Sequence, residues 1–211
     1  MEVGSAAQTH YLAETFTSAG IHFIAPDFSP VQDLDGNLIP MVEQRRTSLV
    51  WIYQNTREKF GGDPDRIYLS GFSSGGHLAA CMVTTDWSAV PNAPIDIIKG
   101  ALICSGMYDL VPVSLSYRSE YVNFTPETVD RLSAIRNIDQ INCPFIIAYG
   151  SYETPEFKRQ AIEFADALDK ARVPNTLEVV AGYNHFETIE TMGNPIGILG
   201  RVAIEQLHGI E

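Results

Sequence analysis

A serine flanked by glycines, set between a strand and a helix, constrains this chain more than any other feature. Residues 66–70 (Arg-Ile-Tyr-Leu-Ser) read as a short β-run and residues 76–83 (Gly-His-Leu-Ala-Ala-Cys-Met-Val) as an apolar helix. Between them stands Gly71-Phe72-Ser73-Ser74-Gly75. A sharp strand-to-helix reversal forces the apex residue into a strained backbone, so small residues are expected two positions to either side. The turn lifts the Ser73 hydroxyl clear of the sheet edge. It also aims the first N–H groups of the following helix, led by that of Ser74, at the space where negative charge would collect.

The rest of the chain alternates helix and strand. Residues 6–19 carry apolar side chains at helical spacing and stop at Gly20, and 21–25 reads as a buried strand halted by Pro26. Residues 41–60 predict a long helix, and 61–65 a tight connection into the serine strand. Further strands are expected at 98–105, 145–150 and 176–181, with helices at 155–172 and 194–208. Residues 107–140 are the least regular stretch, with one short helix near Pro126, and read as a cap-like excursion. This order predicts an α/β fold: a doubly wound, mostly parallel sheet flanked by helices. The 211 residues suit one domain, 1–211, with that excursion inside it.

A serine alcohol is a weak nucleophile and needs a positioned base, itself oriented by a carboxylate. Of the five histidines, His10 and His22 precede the serine, His77 lies on the following helix, and His208 sits in the last helix. Only His185 stands in a loop just after a late strand, where a base reaches the carboxyl edge of the sheet; the bland alternative is a loop histidine capping residues 186–188. Two acids satisfy the chain order Ser–acid–His. Asp109 follows the strand ending near Ser105, and Glu153 follows the strand ending at Gly150. The acid usually follows the strand immediately before that of the histidine, which favours Glu153 and keeps Asp109 as the alternative. The loser would order a turn or cap a helix, as Glu156 also could.

Charge and cysteines narrow the classes. A net charge of −12 disfavours nucleic acid and anionic membrane as partners. No apolar run approaches the length of a membrane span, and the start of the chain lacks the pattern of a signal peptide. Cys81, Cys104 and Cys143 all sit in apolar segments. An odd number of buried thiols fits a reduced, cytoplasmic setting. No Cys/His cluster has zinc spacing, so neither a metal nor a cofactor is expected. A homodimer is compatible with the sequence.

The strand–turn–helix around Ser73 matches the nucleophile elbow of the α/β-hydrolases. Beyond it, the chain resembles the kynurenine formamidase (arylformamidase) branch of that fold. The resemblance rests on residues 70–80, on Thr85-Asp86-Trp87, and on Ser105-Gly106-Met107-Tyr108-Asp109-Leu110. It continues in Glu153-Thr154-Pro155-Glu156-Phe157-Lys158-Arg159-Gln160 and Asn184-His185-Phe186. The acid position in that branch is normally Asp, and here it is Glu153, one methylene longer. The resemblance implies hydrolysis of an N-formyl arylamine such as N-formylkynurenine, with esterase activity on small acyl esters beside it. It also implies an H-G-G-x-W loop supplying half of the oxyanion hole, which this sequence does not contain. Gly4-Ser5 looks like the pair that follows the loop. The expectation is therefore a fragment of a longer protein, lacking the first strands of the fold.

The expected partner is a small amide or ester. A formyl group needs a tight acyl pocket and a roomy aromatic one for the leaving group. Tyr108, Tyr117 and Tyr121, with Phe186 beside the base, are candidates to line the latter; ordinary aromatic packing is the alternative for each. Two competing readings are a general carboxylesterase and a non-catalytic, hydrolase-like binding protein.

Overall fold

The computed structural model describes residues 6–209; the Gly4-Ser5 pair lies outside them. Its centre is a four-stranded, all-parallel sheet in the order β1-β2-β3-β4, made of β1 (Tyr68–Phe72), β2 (Gly100–Cys104), β3 (Phe145–Gly150) and β4 (Asn175–Val180). Among the described residues, eight α-helices accompany it: α1 (His10–Ser18), α2 (Leu38–Asn55), α3 (Ser74–Val83), α4 (Leu110–Ser114), α5 (Pro126–Leu132), α6 (Pro155–Ala171), α7 (His185–Glu190) and α8 (Ile198–His208). A π-turn over Thr56–Phe60 extends α2, so the long helix expected there forms with a widened last turn.

Strands β2 and β3 are buried along their whole length, as parallel strands covered on both faces must be. Their alternating side chains divide the core in two. Ala101, Ile103, Phe145, Ile147 and Tyr149 face one cluster, with Leu78, Val83, Phe164 and Leu168 from α3 and α6. Leu102, Cys104, Ile146, Ala148 and Val180 face the other, with Leu12, Phe16, Leu199 and Ala203 from α1 and α8. Each valine, leucine, isoleucine or phenylalanine among them contributes about 1.5–3 kcal/mol by leaving water. The thiols Cys81, Cys104 and Cys143 are buried, and burial pushes each up to about 12, so they stay protonated core groups.

One expected strand does not form. Residues 21–25 show the alternating exposure of a half-buried strand, and Ile21 and Phe23 pack onto the second cluster, with Phe23 stacked on Phe16. The segment joins no ladder, because among the described residues β1 pairs only with β2. A strand needs a partner for its N–H and C=O groups, and hydrophobic alternation alone does not supply one. None of the described helices is long and apolar enough to cross a membrane.

The 107–140 stretch holds two short helices, α4 and α5, joined by 3₁₀ turns. It is tied to the sheet through α3. His77 is buried, and its Nε2 lies 2.9 Å from the Leu132 carbonyl, so that nitrogen carries the proton and donates it. Burial lowers the His77 pKa to about 4, against the opposing effect of the Leu132 hydrogen bond. The unfolded chain therefore binds more protons at His77 than the folded chain does below about pH 6.5. Stability from this group is full above pH 6.5 and is lost as the pH falls toward 4. The expected loss is about 3 kcal/mol. Denaturant titrations at pH 7 and pH 4.5 check it: His77→Gln should weaken the difference between the two, and an undiminished difference would assign acid sensitivity elsewhere.

Candidate active site

Ser73 occupies the apex between β1 and α3 with φ 54° and ψ −116°, a strained conformation for a residue with a side chain. Its N–H donates to the Cys104 carbonyl at 3.0 Å, continuing the β1–β2 ladder by one residue, and its carbonyl accepts from the His77 N–H. The two glycines of the motif differ in role. A Cβ on Gly71 would lie in severe overlap with the Gly75 carbonyl and 2.9 Å from Ala79 Cβ, so the turn closes only over glycine. A Cβ on Gly75 would meet open space. The expectation of a steric requirement on both sides thus holds for Gly71 alone, because Gly75 lies on the open side of the first turn of α3. Ser74 opens α3 and is exposed, so its N–H belongs to the first turn of the helix, whose N–H groups have no partner within the helix.

His185 is the first residue of α7, directly after the loop that leaves β4. Asn184 fixes that helix start: its side chain accepts from the Phe186 and Glu187 N–H groups at 3.0 and 3.2 Å, and the Glu187 carboxylate accepts from the Asn184 N–H. The capping role considered for the histidine thus belongs to its neighbour. Glu153 sits in the turn leaving β3, its N–H donating to the Gly150 carbonyl at 3.0 Å. The two loops are knit together by Tyr152 N–H to the Tyr183 carbonyl and by Gly182 N–H to the Ser151 hydroxyl.

These three elements bring Ser73, His185 and Glu153 into one hydrogen-bonded chain at the carboxyl edge of the sheet. His185 Nδ1 lies 3.0 Å from Glu153 Oε2, and His185 Nε2 lies 3.0 Å from Ser73 Oγ. An ionised carboxylate only accepts, so Nδ1 carries the ring proton and Nε2 is left as an acceptor for the serine hydroxyl. The carboxylate is fully shielded from solvent, while the imidazole is 18 % exposed. Burial pushes the Glu153 pKa up, but hydrogen bonds from His185, Ser105 and the Gly150 N–H outweigh it and hold the carboxyl below its ordinary value. The imidazole is walled by rings. Phe157 stacks on it at 4.3 Å between centroids, Phe72 lies tilted at 4.7 Å, and Phe186 meets it edge-on at 5.3 Å.

The other expected residues fall elsewhere. Asp109 is the N-cap of α4, its carboxylate accepting from the Val111 N–H at 3.0 Å. It is held there by Gln160 on α6, whose side-chain oxygen accepts from both the Tyr108 and Asp109 N–H groups. Glu156 accepts from the Gln160 amide and pairs with Arg159 on the exposed face of α6. Tyr108 is fully buried and stacks on Phe164 at 4.2 Å, so it is a core residue and does not line a pocket open to substrate. Tyr117 is half exposed and packs with Tyr121 and Arg118. Phe186 is 75 % exposed beside the histidine. Sequence reasoning missed Ser105, Phe72 and Phe157, all in contact with members of the chain of three. Phe157 had a visible signal, since it stands four residues after Glu153 on a helix that begins at Pro155.

Comparison with known proteins follows the same lines. Residues 4–96 match the BD-FAE family model. The chain is 33% identical to kynurenine formamidase from Salmo salar over 196 residues, 89% of this chain and 63% of that protein. It is 31% identical to kynurenine formamidase from Danio rerio over 205 residues, 95% of this chain and 67% of that protein. It therefore spans about two thirds of the length of these relatives. Thermogutta terrifontis esterase 2, solved phosphoramylated by tabun, superposes with a TM-score of 0.75 at 24% identity, covering 99% of this chain and 77% of that one. At that identity the likeness speaks to the fold, which is that of the α/β-hydrolases.

Proposed function

We propose, on the premise that the chain belongs to the kynurenine formamidase family of α/β-hydrolases, that it is a serine hydrolase of small amides and esters, acting on N-formyl arylamines such as N-formylkynurenine. The observation that carries this reading is the unbroken path Ser73 Oγ, His185 Nε2, His185 Nδ1, Glu153 Oε2, with 3.0 Å at each of its two hydrogen bonds.

Ser73 Oγ attacks the formyl carbon as its proton passes to His185 Nε2. Glu153 holds the ring in the tautomer that makes Nε2 a base, and it stabilises the imidazolium that forms. The carbonyl oxygen becomes an oxyanion near the Ser74 N–H, where the helix N-terminus favours negative charge. His185 then gives its proton to the amine nitrogen, the C–N bond breaks, and the arylamine leaves a formyl-serine. Water, deprotonated by His185, attacks that ester, and as the acyl–oxygen bond breaks His185 returns the proton to Ser73 Oγ, releasing formate and free Ser73. One oxyanion donor is worth about 2.7–4 kcal/mol in transition-state stabilisation. The resemblance assigns the second donor to an H-G-G-x-W loop that this sequence does not contain.

Phe157 and Phe186 give the space beside His185 an aromatic wall, which suits an aryl leaving group. Tyr117 is a further candidate on the 107–140 stretch. An acyl ester would use the same steps with an alcohol as leaving group, so carboxylesterase activity accompanies this reading. The full-length protein should hydrolyse N-formylkynurenine with a kcat/KM above that for p-nitrophenyl acetate. A preference for the ester would make it a carboxylesterase, and hydrolysis of neither would favour a binding protein built on the same fold.

A further inference from the structure

We infer that Ser105 is a positioning residue for the hydrolytic site, its hydroxyl locking the Glu153 carboxylate in the orientation that faces His185. The inference rests on the reading of Ser73, His185 and Glu153 given above.

Ser105 follows the last residue of β2 and is completely buried. Its hydroxyl donates to Glu153 Oε1 in a short hydrogen bond, and the Gly150 N–H donates to the same oxygen at 2.9 Å. The other carboxylate oxygen, Oε2, is thereby left for His185. Three donors from three segments thus converge on one carboxylate, and only the hydroxyl comes from a side chain outside the acid and histidine loops. Glutamate has one more rotatable bond than aspartate, so a carboxylate at its end has more orientations to lose. Two donors on Oε1 remove that freedom. Behind Ser105, the Cys104 sulfur lies 3.4 Å from the same hydroxyl. Because Ser105 donates to the carboxylate, the protonated Cys104 thiol is left to donate to Ser105, which orients its hydroxyl.

The backbone gives the second, independent observation. Ser105 has φ 53°, in the left-handed region where glycine is favoured, and Gly106 stands next to it. A side chain kept in that conformation, pointed at a buried carboxylate, is the pattern of strain sustained for a site. A ladder role does not need it. The Ser105 N–H donates to the Ala148 carbonyl whatever the side chain is.

Two substitutions in the full-length protein separate positioning from packing. Ser105→Ala removes the hydroxyl and keeps the strain; Ser105→Gly removes both. Both should lower kcat about 10- to 100-fold with KM within about twofold, because a loosened carboxylate misplaces the base and leaves substrate contacts alone. Ser105→Gly should unfold at a temperature no lower than Ser105→Ala. In a Glu153→Gln background, Ser105→Ala should change turnover by less than about twofold, since residues acting as a unit are not additive. Wild-type turnover in Ser105→Ala, the same fold-loss with and without Glu153, or the failure of both variants to fold would each overturn the inference. If Ser73→Ala and Glu153→Gln are damaging while Ser105→Ala is silent, only this inference fails. If those two leave turnover intact, the reading of the site fails and takes the inference with it.

Discussion

On the proposed reading, replacing Ser73 with alanine should remove hydrolysis of N-formyl arylamines and of short acyl esters alike, with kcat falling on the order of 10⁶-fold, while the protein should still fold. The size of the loss follows from the role. Without Oγ no covalent intermediate forms, and what remains is the catalysis that the Ser74 N–H and substrate binding give to direct attack by water, about 10³–10⁴ over the uncatalysed rate in a related triad. The fold should survive because the elbow is closed by Gly71 and by backbone bonds, Ser73 N–H to the Cys104 carbonyl and His77 N–H to the Ser73 carbonyl, which alanine keeps. The hydrogen bond to His185 Nε2 is lost, at about 0.5–1.5 kcal/mol. Turnover and thermal unfolding of the purified variant check both halves. A serine-directed organophosphate supplies a positive control: it should label Ser73 in the wild type and nothing in the variant. Labelling of Ser74, or an unchanged rate in Ser73→Ala, would sink the assignment.

The legible parts of this molecule are those set by local sequence. Strand β3 occupies the residues its apolar run predicts, and the turn at Ser73 follows from glycine, strand and helix between Tyr68 and Val83. The placement of His185 directly after the loop that leaves β4 matches the expectation from the sequence. The misread parts depend on groups far away in the chain. Residues 21–25 carry a strand pattern, but a strand is made by its neighbour, and the pattern does not say whether one is there. Tyr108 looked like a pocket residue in a polar stretch; its stacking on Phe164 comes from α6. The same helix decides the position of the second acid. Gln160 draws the Tyr108 and Asp109 N–H groups onto α6 across about fifty residues of sequence, and Asp109 is left to cap α4. Ser105 stands in one of the stretches that carry the resemblance, but neither its left-handed backbone nor its partner 48 residues on can be read from the letters around it.

Glu153→Gln should lower turnover about 10⁴-fold, as the corresponding acid-to-amide change does in a related triad, while Asp109→Asn stays within about threefold of wild type. The difference lies in how many acceptors each place demands. Glu153 receives three donors: Nδ1–H of His185 on Oε2, and the Ser105 hydroxyl and Gly150 N–H on Oε1. An amide has one oxygen to offer. If its oxygen faces Gly150, its NH₂ meets the Nδ1–H of His185, and the ring must take the other tautomer, which puts the proton on Nε2 and leaves Ser73 without a base. If its oxygen faces His185, the NH₂ points at a backbone N–H that cannot turn away, and a buried donor is left unpaired, which costs about 1–3 kcal/mol. Asp109 meets one main demand, the Val111 N–H at the start of α4, and asparagine is an equally good cap. Glu153 should also govern acid stability in part. Its carboxyl is held below the ordinary value, so the stability it contributes is present above the unfolded-state pKa and is lost as the pH falls through the folded one. The glutamine variant should lack that part of the acid dependence. Steady-state rates for the two variants, measured side by side with their unfolding curves, decide the matter. A silent Glu153→Gln beside a damaging Asp109→Asn would transfer the carboxylate role to Asp109 and require the loop after β2 to rearrange during turnover.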